Sequence, residues 1–130
     1  MSGQVREKAE LEASVASTFD VLGWEIELAG ARCIFLDALI GELMPTVPPE
    51  KRERLMQGMH AVDLLAQQLT SLSAFARRIS EDASTKTNVA VTRALADITL
   101  GDLANRMATA FGGEEDTVDD RTKAGALDLF

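Results

Sequence analysis

The chain of 130 residues is long enough for one domain with a hydrophobic core and too short for two. Its formal net charge of −8 argues against binding to nucleic acid or to an anionic membrane surface, because the chain would repel phosphate groups. Cys33 and His60 are the only cysteine and the only histidine, so neither a disulfide framework nor a cysteine or histidine metal site can form within one chain. We therefore expect no cofactor of the protein's own.

Residues 1–10 are polar and are predicted to form a flexible N-terminus. They lack the apolar stretch of a signal peptide. No apolar run approaches the roughly 18 to 20 residues that a membrane span requires. These features predict a cytoplasmic protein.

The first predicted helix runs from Leu11 to Met44, where apolar residues recur in steps of three or four. Small residues such as Gly30 and Ala31 would allow another helix to approach closely. The helix should end at the Pro-Thr-Val-Pro-Pro stretch of residues 45–49, because proline lacks a backbone donor and restricts the residue before it. Proline also suits the first turn of a following helix. A tight turn between two antiparallel helices is therefore predicted.

Two further helices are predicted, from Pro49 to Asp82 and from Thr87 to Phe111, and no strand pattern is present. Frequent Ala, Leu, Glu and Arg residues favour helix throughout. The predicted fold is all-α, with residues 11–112 forming a long antiparallel helical hairpin and a third helix. Because three long helices close a bundle less well than four, we expect a homodimer that completes a four-helix bundle.

Residues 113–130 differ in character from the helical region. Residues 114–123 are charged and show no periodicity, which predicts a disordered acidic linker. The chain then becomes mostly apolar and ends in Leu127, Asp128, Leu129 and Phe130. Such a segment either packs on its own bundle or serves as a partner-binding peptide on a flexible tether.

The second helix has two chemically different sides when its residues are placed at 100° intervals. The predicted core seam consists of Leu55, Val62, Leu69 and Ala76, with Leu65 and Leu72 beside them. The far side carries His60, Asp63, Gln67, Ser71 and Arg78. The carboxylate of Asp63 and the carboxamide of Gln67 therefore point the same way into solvent, one turn apart. Judged alone, such a pair is more often a solvated helix surface than a site.

Several features together resemble the CheZ family of response-regulator phosphatases: the Asp-x-x-x-Gln spacing of Asp63 and Gln67, the helical hairpin, the acidic linker and the apolar C-terminus. The resemblance covers the helix around residues 55–80 and the last dozen residues. Three features differ from that family. The chain is short, a third helix follows the motif helix, and Leu129 stands where the family prefers glycine.

The resemblance implies an enzyme that hydrolyses the phosphoaspartate of a response regulator in chemotaxis or two-component signalling. Gln67 would position the attacking water, much as a glutamine does in small GTPases. Asp63 would contact the regulator's active-site lysine, and the Mg²⁺ ion would belong to the regulator. The candidate partner-binding residues are Leu64 and His60 on the helix and Leu127, Asp128, Leu129 and Phe130 in the tail.

Two other functions fit the same sequence. One is a non-enzymatic helical adaptor or scaffold in signalling. The other is a histidine phosphotransfer bundle in which His60 accepts the phosphoryl group, although the Ala61-Val62-Asp63 that follows is not typical of such domains. Gln68, the adjacent carboxamide, would replace Gln67 as the candidate if the helix were oriented differently.

Overall fold

The computed structural model describes residues 10–112 and confirms the all-α fold class. In chain order the elements are strand β1 (Glu12–Ser14), helix α1 (Val15–Leu43), a 3₁₀ turn (Met44–Thr46), helix α2 (Pro49–Asp82), strand β2 (Asn88–Ala90), helix α3 (Thr92–Ala96) and helix α4 (Gly101–Ala110). They form two compact units, the hairpin unit of residues 22–79 and the strand unit of residues 10–21 and 80–112. The predicted linker and C-terminal peptide, and residues 1–9 of the predicted N-terminal segment, lie outside the described residues.

The hairpin unit contains most of the two long helices α1 and α2, which pack against each other. The bounds predicted for α2 are confirmed, and α1 ends one residue earlier than predicted. Proline in the 3₁₀ turn ends α1 as expected. The Arg52 side chain holds the turn in place, because its Nε donates to the carbonyl oxygen of Val47 at 2.9 Å and its Nη2 to that of Pro45 at 3.3 Å.

Small residues form the line of closest approach between α1 and α2. Gly23 and Gly30, seven residues apart, face α2, where Ala66 and Ser73 are also seven residues apart. The Ser73 hydroxyl donates to the carbonyl oxygen of Gly23 at 2.8 Å. A methyl group at Gly30 would lie 3.5 Å from the Cβ atom of Leu69, so the two backbones are close. We call this line the seam; it confirms the close approach predicted at Gly30.

The hairpin unit buries only small residues: Gly23, Gly30, Ala66, Ser73 and Ala76. The prediction that Leu65 and Leu72 belong to a core seam is wrong for the single chain, since 44% and 52% of their surface is exposed. Both residues immediately precede a seam residue, Ala66 or Ser73, and so project to one side of it. On α1, Leu22, Leu36 and Leu43 are exposed to a similar extent. We call these five residues the leucine face.

The strand unit contains a two-stranded antiparallel sheet that the sequence did not reveal. Glu12 pairs with Ala90, Ala13 with Val89 and Ser14 with Asn88. The prediction that no strand is present is therefore wrong. So is the start of the first helix at Leu11, because residues 12–14 pair with β2 and helix α1 begins at Val15.

Partners within the strand unit satisfy the first turn of α1, whose backbone N–H groups have no acceptors within the helix. Val15 donates to the carbonyl oxygen of Thr87 at 2.9 Å, and Ala16 to that of Ser84 at 3.1 Å. The Ser14 hydroxyl oxygen accepts from the backbone N–H of Ser17 at 3.0 Å, the geometry of a helix N-cap. These three bonds explain why α1 starts at this point.

The predicted third helix, Thr87 to Phe111, is not continuous and that prediction is wrong. Residues 88–90 form β2, and only Thr92–Ala96 and Gly101–Ala110 are α-helical. Pairing with β1 takes up the backbone groups at the start of the predicted helix, and a tertiary partner of this kind outweighs weak helical preferences. Val91, the residue that follows β2, is buried.

Candidate functional site

Asp63 and Gln67 form a hydrogen-bonded pair on the exposed surface of α2. The Gln67 Nε2 donates to the Asp63 Oδ2 at 2.9 Å, and both residues are exposed. The pair lies in the interior of a helix of 34 residues, so its backbone is held far from either fraying end. The predicted exposure and common direction of these two side chains are confirmed.

This hydrogen bond orients the Gln67 amide in a way that matters for chemistry. Because Nε2 points toward Asp63, the carbonyl oxygen Oε1 points away from it and can accept from a water molecule. The second hydrogen of Nε2 remains to donate to an incoming oxygen. A neutral group that both accepts and donates can place a water beside an anionic substrate without adding charge.

The neighbouring amide, Gln68, lies on a different side of α2. Gln68 is exposed, but one residue along a helix corresponds to a rotation of about 100°. It falls between Leu65 and Leu72 on the leucine face and lies five residues from Asp63. The structure thus pairs Asp63 with Gln67 and not with Gln68, so substitution of Gln68 can serve as a control for substitution of Gln67.

A wider surface surrounds the pair on the side of the hairpin unit opposite the leucine face. Thr70 and Arg77 lie four residues after the seam residues Ala66 and Ser73, and Asp63 lies seven residues before Thr70. The three side chains therefore lie on the same side of α2. Arg77 contacts Glu27 of α1, which lies four residues after Gly23, so this side of both helices forms one surface. We call this surface, with Gln67 and Trp24, the motif face.

The remaining predicted contact residues are found in different places. His60 is exposed one turn before Asp63, and Leu64 is 56% exposed at the residue following Asp63. Leu127, Asp128, Leu129 and Phe130 lie outside the described residues, so their predicted role in partner binding stays a prediction. Cys33 is half-buried with a free thiol.

A cluster centred on Trp24 was missed by the sequence reasoning. The guanidinium carbon of Arg77 lies 5.5 Å from the centre of the Trp24 ring, and the Arg77 Nη2 lies 3.2 Å from the Glu27 Oε2. Trp24 and Glu27 are three residues apart and so lie near each other on α1. Arg77 is distant in sequence, and only the register of the seam brings it to them.

Within residues 10–112, no group of three or more His, Cys, Asp or Glu side chains is arranged to hold a metal ion. No helix among these residues combines the length and the apolar character needed to cross a lipid bilayer.

The fold and the site define an all-α protein with a long helical hairpin that displays a hydrogen-bonded Asp–Gln pair. The chain belongs to the DUF8776 family, a domain of unknown function, whose family model matches residues 23–130. The comparison with curated proteins and the comparison with solved structures each gave no significant match.

Proposed function

We propose that the protein is a phosphatase that hydrolyses the phosphoaspartate of a response regulator. The observation that carries the proposal is the exposed Asp63–Gln67 hydrogen bond, which directs an amide oxygen away from the helix while leaving it accessible to another protein. An aspartyl phosphate is already a reactive acyl phosphate, so hydrolysis requires mainly a correctly placed water. The resemblance described above provides the second line of support.

In this reaction the Gln67 Oε1 accepts a hydrogen bond from the attacking water, and Nε2 donates to an oxygen of the phosphoryl group. The water oxygen forms a bond to phosphorus as the bond between phosphorus and the regulator's aspartate oxygen breaks. The regulator regains its carboxylate, and the proton of the water leaves with inorganic phosphate. The Mg²⁺ ion that neutralises charge on the phosphoryl group is the regulator's own.

Asp63 has two roles in this proposal. Its Oδ2 accepts from Gln67 and so restricts the rotation of the carboxamide. Its Oδ1 is left to accept from a cation on the partner, which we propose to be the regulator's active-site lysine. Preorganised side chains of this kind lower the entropic cost of reaching the transition state. The proposal places both proteins in the cytoplasm.

The exposed leucines support a homodimer as the working form. The hairpin unit buries no side chain larger than that of alanine or serine, so a single hairpin has little hydrophobic core of its own. Its leucine face draws on both helices and is suited to pack against a second copy as a four-helix bundle. Because the motif face lies on the opposite side, each copy would keep its Asp63–Gln67 pair exposed.

A helical adaptor is the second candidate, and it is favoured by the large exposed apolar surface. A histidine phosphotransfer bundle with exposed His60 is the third. The three differ in the fate of the phosphoryl group. The phosphatase releases it as free phosphate, the phosphotransfer bundle takes it onto His60, and the adaptor leaves it on the regulator.

The deciding experiment measures phosphate release from phosphorylated response regulators in the presence of the wild-type protein, Gln67→Ala or the matched control Gln68→Ala. We expect Gln67→Ala to lose roughly a hundredfold in turnover, the order found when one transition-state contact is removed. Gln68→Ala should keep the wild-type rate, because its side chain lies on the leucine face. Both are surface changes, so circular dichroism should show intact folding. Equal rates for all three proteins would refute the assignment of Gln67.

A further inference from the structure

Trp24 is a large aromatic side chain that the hairpin unit leaves exposed. Its surface is 57% accessible, and it is the only tryptophan in the chain. An isolated exposed apolar residue requires no explanation, but a charged residue of the other helix, Arg77, lies over the Trp24 ring. The Arg77 guanidinium carbon lies 5.5 Å from the ring centre, and Arg77 is paired with Glu27.

The seam itself restricts the position of this cluster. Gly23, the residue before Trp24, faces α2 so closely that a methyl group there would lie 3.0 Å from the Arg77 Cγ atom. The arginine side chain therefore passes over Gly23 before it reaches the tryptophan ring. A tryptophan held by a neighbouring cation loses less conformational freedom on binding than a free one. Rigid Trp and Arg side chains are enriched among the residues that contribute most to protein–protein affinity.

Trp24 and the Asp63–Gln67 pair can contact the same partner. Both belong to the motif face, and Arg77 lies ten residues after Gln67, which corresponds to about 15 Å along the helix. A standard interface covers about 800 Å² on each partner, a patch roughly 30 Å across. A folded protein that presents a phosphoaspartate to Gln67 would therefore extend over Trp24 as well.

We propose that Trp24, oriented by Arg77 and Glu27, is the docking anchor for the response regulator on which Gln67 acts. This inference rests on the proposed function. A second copy of the chain is the other protein that an exposed face could bind. We assign it to the leucine face, where exposed leucines from both helices lie. Directly beside Trp24 the motif face carries the charged side chains of Arg77 and Glu27, and the exposed apolar residues Ile34 and Met56 lie farther along the two helices. An aromatic anchor bordered by charged groups is the pattern of an interface with a polar rim.

The first test separates binding from turnover by comparing Trp24→Ala with Leu100→Ala. Leu100 is a matched control, since it is 54% exposed but belongs to the strand unit and not to the motif face. We expect Trp24→Ala to raise the KM for the phosphorylated regulator at least tenfold and to change kcat less than twofold. Leu100→Ala should leave both constants unchanged. An unchanged KM for Trp24→Ala would overturn the anchor role.

The second test does not depend on catalysis. Because Trp24 is the only tryptophan, its fluorescence can be followed while the full chain is titrated with a tryptophan-free regulator carrying beryllofluoride in place of the phosphoryl group. We expect a blue shift of the emission and protection from iodide quenching, with the same saturation point in Gln67→Ala. Binding detected by calorimetry without any change in Trp24 emission or quenching would refute the anchor and leave the proposed function standing. If the wild-type protein showed the emission shift but released no phosphate from the phosphorylated regulator, the proposed function would instead be refuted.

Discussion

The Ser73 hydroxyl lies 2.8 Å from the carbonyl oxygen of Gly23 and donates a hydrogen bond to it across the two helices of the hairpin unit. Both residues are buried, and a larger side chain at either position would push the helices apart. The Gly23 carbonyl belongs to the α1 backbone, so the bond links the α2 side chain directly to the other helix. The separation of the helices, and with it the position of Arg77 over Trp24, therefore depends on these two small residues.

The first prediction concerns the cost of adding a methyl group at two glycines of α1. At Gly41 nothing lies within 4 Å of the new atom, so Gly41→Ala should stabilise the protein by about 0.5–1 kcal/mol through helix propensity. At Gly23 the same methyl group would lie 3.0 Å from the Arg77 Cγ and 3.4 Å from the Ser73 carbonyl oxygen. Gly23→Ala should therefore be no more stable than the wild type. Urea unfolding at one fixed protein concentration measures both, and a gain at Gly23 equal to that at Gly41 would contradict the close seam.

The second prediction tests the leucine face as the dimer interface. Leu72→Glu places a charge on that face, and burying an unpaired carboxylate is strongly unfavourable, so the variant should be a monomer. Leu64→Glu is the matched control, because Leu64 is 56% exposed against 52% for Leu72 but lies about 100° away from the neighbouring Leu65. Light scattering after size-exclusion chromatography gives the mass of each protein. A wild-type monomer, or a Leu72→Glu dimer, would show that this face does not join two copies.

The third prediction concerns the C-terminal residues 124–130, which include Leu127, Leu129 and Phe130. Burying these three side chains would contribute about 1.5–3 kcal/mol each at most, whereas ordering seven residues costs roughly 1–2 kcal/mol per residue. The net interaction with a regulator should be weak and should act mainly by raising its local concentration at the motif face. Deleting residues 124–130 should therefore raise the KM and leave kcat unchanged at saturating regulator. Steady-state kinetics of the truncated protein provide the measurement, and an unchanged KM would exclude the tether role.

The bounds of α2 and the turn before it could be read from the sequence because their causes are local. Proline ends a helix and begins the next one wherever it occurs, and apolar residues in steps of three or four indicate a helix without reference to a partner. The same periodicity placed Asp63 and Gln67 together on the exposed side of α2. Their hydrogen bond joins residues one turn apart, so it too follows from helix geometry.

The pairing of β1 with β2 and the Trp24–Arg77 contact could not be read in this way. Ser14 and Asn88 are 74 positions apart in sequence, and the preference of three residues for strand is too weak to show without the partner strand. Leu65 and Leu72 resemble core residues by their type, and only the register of α1 against α2 places them beside the seam. Short-range rules of backbone geometry therefore account for the helices and for the Asp–Gln pair. Which helix faces are covered is decided by contacts between distant parts of the chain. Two helices can meet only where the side chains on both are small, and the sequence of one helix does not show where the other will lie.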